Sequence, residues 1–440
     1  MKHAIRKGGF AMSYCEYCSR DHNVGFISTR IAGTDGVSLE TEKWARIFEK
    51  EGLTSYYFAG ELDRDPKRSF LVEEAHFQHP VILEINQDCF GVDQRDRSLT
   101  AQIHRIKSLL KDQLYKFIAD YDIDMLVTEN CLTIPMNVPL GLALTEFISE
   151  TGINTIAHHH DFFWERQQFM VNAIWEYLNM AFPPHIPSIK HVVINSSGGN
   201  QLSLRTGISS TVIPNVMDFE NPPPPIDDYA SDVREALGLK SYELLILQPT
   251  RVVKRKGIEH AIEFVSRLGA KAKLVISHAS GDEGYDYEKR VWEYSRIMGV
   301  DTLFVSDIIN DQRGTTPGGR KIYTLDDIYP HADLVTYPSN FEGFGNAFLE
   351  ALYYRKPILV NNYSIYSTDI RPKGFSVIEI DGFVTRSAVR LAKKVLRDEE
   401  FRQKMVDHNY NVATQHFSYK ILRHKLKALI ADCLPCRFGV

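Results

Sequence analysis

Ala332-Asp333-Leu334-Val335-Thr336-Tyr337-Pro338-Ser339-Asn340-Phe341-Glu342-Gly343-Phe344-Gly345-Asn346-Ala347-Phe348-Leu349-Glu350-Ala351 decides how the rest of the chain is read. Its first six residues have β-strand character, and Lys356-Pro357-Ile358-Leu359-Val360 is a second such run. Between them a Gly-Phe-Gly turn leads into an apolar, helix-forming stretch. The segment therefore reads strand, turn, helix, strand, which is a βαβ unit. Glu342 falls in the loop beyond the carboxyl end of the first strand, and Glu350 lies one to two turns into the helix. Open α/β sheets bind ligands above those strand ends, so both carboxylates are expected to face one pocket there. The glycines let bare backbone N–H groups approach an oxygen-rich ligand.

The same alternation extends in both directions, which implies parallel sheets with crossover helices. In the first half, strands are expected at residues 24–28, 55–58, 81–85, 125–128, 154–157 and 191–195, and helices at 39–51, 102–119, 140–150 and 165–180. The run Asn221-Pro222-Pro223-Pro224-Pro225-Ile226-Asp227-Asp228 then interrupts the pattern. Four prolines fit neither a helix nor a central strand, so this is a stiff extended connector between two domains. Beyond it, strands are expected at 243–248, 272–277, 301–305 and 332–337, helices at 258–268 and 287–298, a polar surface loop at 310–321, and helix through 387–430. Two similar α/β domains facing across a cleft follow, with boundaries set at 1–218 and 219–415 and a terminal segment 416–440.

Composition narrows the function classes. With 51 Lys and Arg against 56 Asp and Glu, the net charge is −5, which argues against a dedicated nucleic-acid binder. At 44% hydrophobic and 24% charged the chain is of ordinary globular composition. No apolar run reaches the roughly 20 residues of a spanning helix. The basic start Met1-Lys2-His3-Ala4-Ile5-Arg6-Lys7 lacks the apolar core of a secretory signal, so a cytoplasmic location is expected. Six cysteines fit a reducing compartment, but four form two Cys-x-x-Cys pairs, Cys15/Cys18 and Cys433/Cys436. That spacing suits a structural zinc ion if the chain ends meet, but with the pairs separated by most of the chain two unrelated thiol pairs are the better reading.

Three further constellations carry chemistry. In Leu247-Gln248-Pro249-Thr250-Arg251-Val252-Val253-Lys254-Arg255-Lys256-Gly257-Ile258, four cations separate a strand from a helix. Loop cations beside a helix start form a diphosphate pocket. The turn Arg30-Ile31-Ala32-Gly33-Thr34-Asp35-Gly36-Val37-Ser38 joins the first strand to the first helix, and Gly33 and Gly36 leave its backbone open to an anion. The run Ala157-His158-His159-His160-Asp161-Phe162-Phe163-Trp164-Glu165-Arg166 also follows a strand. Adjacent residues of extended chain point in different directions, so three consecutive histidines do not ligate one ion. One imidazole contacting a substrate oxygen is the better reading, with His158 and His159 structural.

Together these residues resemble the retaining GT-B glycosyltransferases of family 4, the group 1 glycosyl transferases, over essentially the whole chain. Pro338-Ser339-x-x-Glu342-Gly343-Phe344-Gly345-x-x-x-x-Glu350-Ala351 is similar to that family's Glu-x7-Glu donor motif. Thr250-Arg251 and Lys256-Gly257 match its diphosphate-binding Arg and Lys, and His160-Asp161 its His-Asp. Val212-Ile213-Pro214-Asn215-Val216-Met217-Asp218 is similar to its Ile-Pro-Asn-Gly-Val-Asp turn, without the glycine. The resemblance implies a nucleotide-diphosphate sugar donor (UDP-, GDP- or ADP-hexose), no catalytic metal, and a C-terminal helix from Phe417-Ser418-Tyr419 that returns to the first domain. It further implies that Glu342 binds donor-sugar hydroxyls, with Gly343, Phe344, Gly345 and Asn346 presenting backbone to the sugar, and that Glu350 takes the ribose. Arg251 and Lys256 would neutralise the leaving diphosphate, Gly33 and Gly36 close over the phosphates or acceptor, and His160 contact the sugar near the reacting carbon. With Glu129-Asn130-Cys131-Leu132-Thr133-Ile134-Pro135-Met136-Asn137, the histidine run resembles the subgroup of sucrose-phosphate and mannosylglucosylglycerate synthases. A small phosphorylated or carboxylated acceptor is then expected, with Arg166 as an anion partner; Asn130 and Asn137 read equally as polyol contacts and as satisfied asparagines of a proline-rich connector.

Alternatives stay open on the residues themselves. A membrane-associated glycolipid or polysaccharide glycosyltransferase finds support in the basic amphipathic stretch 103–111, which fits an ordinary surface helix better. A nucleotide-sugar binder or epimerase would need an acid/base carboxylate pair in the first domain, and none recommends itself. The donor base, the sugar, the acceptor and assembly into a homo-oligomer are not encoded in these motifs.

Overall fold

The computed structural model describes residues 22–33, 35–279 and 285–434. Strands β1 (His22–Ile27), β2 (Leu53–Ala59), β3 (Ser69–Leu71), β4 (Ile123–Glu129), β5 (Thr155–His159), β6 (Ile189–Val193) and β7 (Ser210–Val212) form one parallel sheet in the order β3-β2-β1-β4-β5-β6-β7. Strands β8 (Leu244–Gln248), β9 (Ala272–Ile276), β10 (Asp301–Phe304), β13 (Leu334–Tyr337), β14 (Ile358–Asn361) and β15 (Ile378–Ile380) form a second, ordered β10-β9-β8-β13-β14-β15. Between them in sequence, β11 (Gly314–Thr315) and β12 (Lys321–Ile322) make a small antiparallel hairpin inside the expected surface loop. This is the GT-B arrangement of two Rossmann-like domains.

The strand orders position the site. In the first sheet, chain direction across the sheet reverses between β1 and β4, and in the second between β8 and β13. Loops diverge at such a switch point and leave a crevice at the strand ends. Gly33 lies in the loop leaving β1 and Gly36 opens the helix after it, Glu129 ends β4, and the segments leaving β8 and β13 carry Arg251, Lys256 and Glu342.

Two expected elements differ. Residues 81–85 are not a strand but lie in the helix Pro80–Cys89. Pro80 occupies the first helical position, the His79 side chain accepts from Val81 N, and the buried residues Ile82, Ile85 and Cys89 recur with helical spacing. Over 165–180, only Trp175–Ala181 is α-helical, preceded by short 3-10 turns at Phe163–Glu165 and Gln167–Phe169. Polar side chains take the backbone there: Glu165 accepts from Phe162 N at 2.8 Å and Asn172 accepts from Ile174 N at 3.1 Å.

The stretch 103–111 lies in the helix Arg97–Tyr121, whose apolar face, Ile103, Ile106 and Leu110, is buried in the first domain's core. Lys107 Nζ donates to Glu146 at 2.5 Å, and Lys111 Nζ to Glu146 at 3.0 Å and Glu150 at 2.8 Å. The apolar face and two lysines of that stretch are thus engaged inside the fold, and no described helix is long and apolar enough to cross a membrane.

The C-terminal chain crosses between domains. Helix Glu399–Phe417 packs Tyr410, Ala413 and Phe417 into the second domain's core. Ser418 breaks it, and Met217 N, just before the proline connector, donates to Phe417 O at 2.9 Å. Helix Tyr419–Cys433 then sets Leu422, Leu426 and Ile430 among Val24, Phe26 and Trp44 of the first domain. Cys433 belongs to that buried cluster, and burial pushes its thiol up to about 12. Cys15, Cys18 and Cys436, the other members of the expected zinc set, lie outside the described residues.

Candidate active site

One wall of the cleft is built by two clamped loops of the second domain. After β8 the chain makes a 3-10 turn, Lys254–Lys256, ending at Gly257 with φ of 57°. A Cβ on Gly257 would lie 2.6 Å from Pro338 O, so only glycine allows the loop after β13 to pack this closely. Asn340 N donates to Arg255 O at 2.8 Å and completes the clamp. Its consequence is charge pairing. Lys256 Nζ donates to Glu342 Oε1, and Arg255 Nη1 to Glu342 Oε2 at 3.0 Å. Lys256 and Glu342 are only 9% and 7% exposed. Burial raises the Glu342 carboxyl, but Lys256 and Arg255 together outweigh it and hold Glu342 below its ordinary value. Arg251 is exposed, and its charge is felt by Lys256 and by His278.

The Gly-Phe-Gly turn faces the first domain. Gly343 O accepts from Asn195 Nδ2 at 2.7 Å, and a Cβ on Gly343 would stand 3.4 Å from His160 O. Phe344 is buried edge-on to Phe417, with centroids 5.3 Å apart, and its carbonyl accepts from Tyr363 Oη at 2.7 Å. Gly345 has φ of 124°, and a Cβ there would meet Tyr363 Oη at 2.7 Å. Asn346 Oδ1 accepts from Asn215 Nδ2 at 2.7 Å, and Gly36 lies on the far side of the same side chain. Glu350 has a separate partner: Tyr329 Oη donates to it at 2.7 Å. Burial raises the Glu350 carboxyl, opposed by Tyr329 and by Lys43 of the first domain.

The opposite wall contains a carboxylate that the motifs did not single out. Glu129, at the end of β4, is fully buried. Its Oε2 accepts from His158 Nδ1 at 2.9 Å and from His160 Nε2 at 3.3 Å, whereas Oε1 is buried without a partner. The strand's period of two explains the pairing: His158 and His160 share one side, and His159 points to the other, where Nε2 meets His191 Nδ1 at 2.8 Å. His158 is therefore part of the His160 network as well as a core residue. Burial opposes the Glu129 charge, but His158 and His160 hold the carboxyl down at about 2. Burial pulls His160 down most strongly, and Glu129, Glu40 and Asp161 together overcome it and raise His160 above its ordinary value.

Several expected contacts are engaged within the protein. Asn130, at φ of 61°, accepts from His160 N at 3.0 Å and donates to Asp161 at 3.1 Å, and Arg166 Nε binds Asp161 at 2.5 Å. Asn137 caps the helix Val138–Thr151 and donates to Glu74 O and Ala75 O, so it is structural. Gly33 N donates to Asp63 at 2.7 Å. Arg255 stood out in the sequence only as one of four pocket cations, and Glu129, Lys43 and Asn195 did not stand out as candidate site residues. Of these three Asn195 had a local signal, a helix-capping position ahead of Ser196-Ser197-Gly198-Gly199.

Residues 316–412 match the family model Glycosyl transferases group 1. The chain is 32% identical over 388 residues to the mannosylglucosylglycerate synthase of Petrotoga mobilis, covering 81% of this chain and 86% of that protein. It is 31% identical over 423 residues to the Thermotoga maritima enzyme of the same name, covering 88% and 95%. Among solved structures it superimposes on Anabaena HepE, determined in complex with UDP and glucose, with a TM-score of 0.61 at 13% identity, covering 93% of this chain and 100% of that one. The chain belongs to the GT-B glycosyltransferases of family 4, the group 1 glycosyl transferases, and is itself a glycosyltransferase.

Proposed function

We propose that this enzyme transfers a hexosyl unit, mannose by analogy with its named relatives, from a nucleoside-diphosphate sugar to a small soluble acceptor of the glucosylglycerate type, with retention of anomeric configuration. The second domain, 219–415, holds the donor, and the first, 1–218, presents the acceptor. The observation that carries this reading is the buried Lys256–Glu342 pair, joined by partly exposed Arg255, at the second sheet's switch point, with the Gly343 turn packed against His160 across the cleft. Likeness to mannosylglucosylglycerate synthases over 81% of the chain supports the acceptor class.

Cleavage of a sugar–diphosphate bond develops positive charge on the sugar ring and negative charge on the departing diphosphate. Fixed cations beside that diphosphate lower the barrier because they need no reorganisation as the charge appears. Lys256 is held in place by Glu342 before any donor arrives, and exposed Arg251 reaches the outer phosphate. These two cations do the work that a divalent ion does in other transferases. Glu342 and the backbone of Gly343, Phe344, Gly345 and Asn346 hold the sugar, and Glu350 with Tyr329 receives the ribose. Gly36 closes over the donor from the first domain, and Gly33 shapes the same turn. His160 contacts the sugar near the reacting carbon. Among the described residues no carboxylate is placed as a nucleophile: Glu342 is committed to two cations and Glu129 to two imidazoles. A front-face route, in which the leaving diphosphate assists the incoming hydroxyl, fits that inventory better than the two-carboxylate scheme of retaining hydrolases.

The test is a panel of UDP-, GDP- and ADP-hexoses, mannose included, with glucosylglycerate as acceptor and mass spectrometry of the product. One donor should yield acceptor extended by a single hexosyl unit. Absence of product with every donor, or product only on a lipid acceptor, contradicts the reading.

A further inference from the structure

The proposed role of His160 depends on where its ring points and where its proton sits. A histidine ring has two chemically distinct nitrogens, and the bond made by one decides what the other offers. Here Nε2 faces Glu129 at 3.3 Å, the main-chain N–H is fixed to Asn130 Oδ1 at 3.0 Å, and the side chain keeps 11% exposure at the cleft. Glu129 is in turn fixed by the 2.9 Å contact with His158 Nδ1. His158 lies flat on Trp44, with ring centroids 4.3 Å apart and 23° between planes, and its ring centre is 4.4 Å from that of His160. Trp44 comes from the helix Gly36–Lys50, which starts at the glycine turn on the same side of the cleft.

Both nitrogens address one carboxylate oxygen while the other is buried without a partner. A buried, half-satisfied carboxylate is costly unless the hydrogen bonds it does accept come from real donors. Two N–H donors on Oε2 meet that demand, and this fixes the proton of each ring on the nitrogen facing Glu129. We infer that Glu129 is a positioning residue for the transfer: it locks the proton of His160 on Nε2 and turns the Nδ1 edge of the ring toward the cleft, braced by His158 stacked on Trp44. This rests on the role proposed above for His160. It adds a source of that residue's orientation, in a carboxylate that never touches substrate. Glu40 of the helix Gly36–Lys50, paired with Lys43, and Asp161, paired with Arg166, favour the charged imidazolium of His160, so the tautomer is read at a pH alkaline enough to leave the ring neutral.

The test uses full-length protein labelled with 15N-histidine. In the wild type, the His160 resonance, assigned by loss in His160→Gln, should show the proton on Nε2. In Glu129→Leu it should revert to a mixture of the two tautomers. Turnover should fall about 10- to 100-fold, taking as a guide the loss seen when the carboxylate behind a metal-ligating histidine is removed. Affinity for the nucleoside-diphosphate hexose should stay within about 3-fold, because Glu129 does not reach the donor. Glu129→Gln keeps one acceptor oxygen and should fall between wild type and Glu129→Leu. A wild-type proton on Nδ1 overturns the inference without any variant having to fold, as does an unchanged His160 spectrum in a folded Glu129→Leu. Divalent metal that is bound by the purified wild type and lost in Glu129→Leu would also overturn it, because the three groups would then be ligands and not donors and acceptor. The spectrum is read without substrate. A failed donor panel therefore defeats the proposed function and leaves this measurement standing.

Discussion

The two walls of the cleft solve the same problem differently. On the second-domain wall, Glu342, Gly343, Phe344, Gly345, Asn346 and Glu350 come from one short stretch, and Arg255 and Lys256 from another. On the first-domain wall, the network of Glu129, His158 and His160 is assembled from two neighbouring strands some 30 residues apart, with Trp44 brought in from a helix. The second-domain wall is built from loops whose spacing is visible locally. The first-domain wall is built from contacts that exist only once the sheet has formed. The charge logic differs too: two cations surround one carboxylate on one side, and one carboxylate serves two imidazoles on the other.

That contrast can be broken first at the Lys256–Glu342 pair. Glu342→Ala leaves a buried ammonium short of its principal counter-charge, and chemical denaturation should show a stability loss of about 3–5 kcal/mol. Replacing both residues by apolar side chains of similar size, Lys256→Met with Glu342→Leu, should cost less than Glu342→Ala alone. An equal or larger loss would mean that the pair is held by something other than mutual compensation.

Acid should act on the first domain. Burial lowers His191 from its ordinary 6.5 to about 4 and lowers the adjoining His159 as well. The native state therefore resists proton uptake that the unfolded chain accepts. Stability is full above about pH 6.5 and falls as the pH drops toward 4, by roughly 3 kcal/mol for His191 at 1.36 kcal/mol per unit. Unfolding free energies measured across that window check the slope, and a flat profile would contradict the burial of this pair.

Lys256→Ala should reduce turnover about 100-fold or more, as when another fixed charge-stabilising group is removed. Gly345→Ala should then cost about 1–3 kcal/mol of stability, because φ of 124° is strained for any other residue and the new methyl meets Tyr363 Oη. A wild-type melting temperature in that variant would mean that the turn is freer than its backbone indicates. The smallest effect is expected where the domains touch. Asp369 accepts from Ser196 N at 2.6 Å and from the Ser196 hydroxyl, at the start of the first-domain helix Ser196–Thr206. Asp369→Asn should lower stability by about 0.3–1 kcal/mol through the lost charge–dipole term, and a melting curve reads it.

The two walls also show what a sequence discloses. Helix 258–268 and the strands around Glu342 were legible because apolar period and glycine punctuation agree over short distances. The helix Pro80–Cys89 was misread because Val81-Ile82-Leu83 looks like strand when the proline and histidine cap before it are ignored. Glu129 was passed over as the last residue of a strand, since nothing near it in sequence shows that two histidines will close on it. Arg255 was hidden among neighbouring cations; only the packing of Gly257 against Pro338 selects it and Lys256 for Glu342. Asn130 and Arg166 look available to an acceptor in sequence and are occupied by Asp161 in the fold.

The central claim is that both walls act on one bound sugar nucleotide. A double-mutant cycle on the single-turnover transfer rate, with His160→Ala, Lys256→Ala and the combined variant, tests it most directly. If both side chains serve the same transition state, the two losses should fail to add, with a coupling of roughly 1 kcal/mol or more. Losses that add within about 0.5 kcal/mol, as for independent sites, would contradict the account.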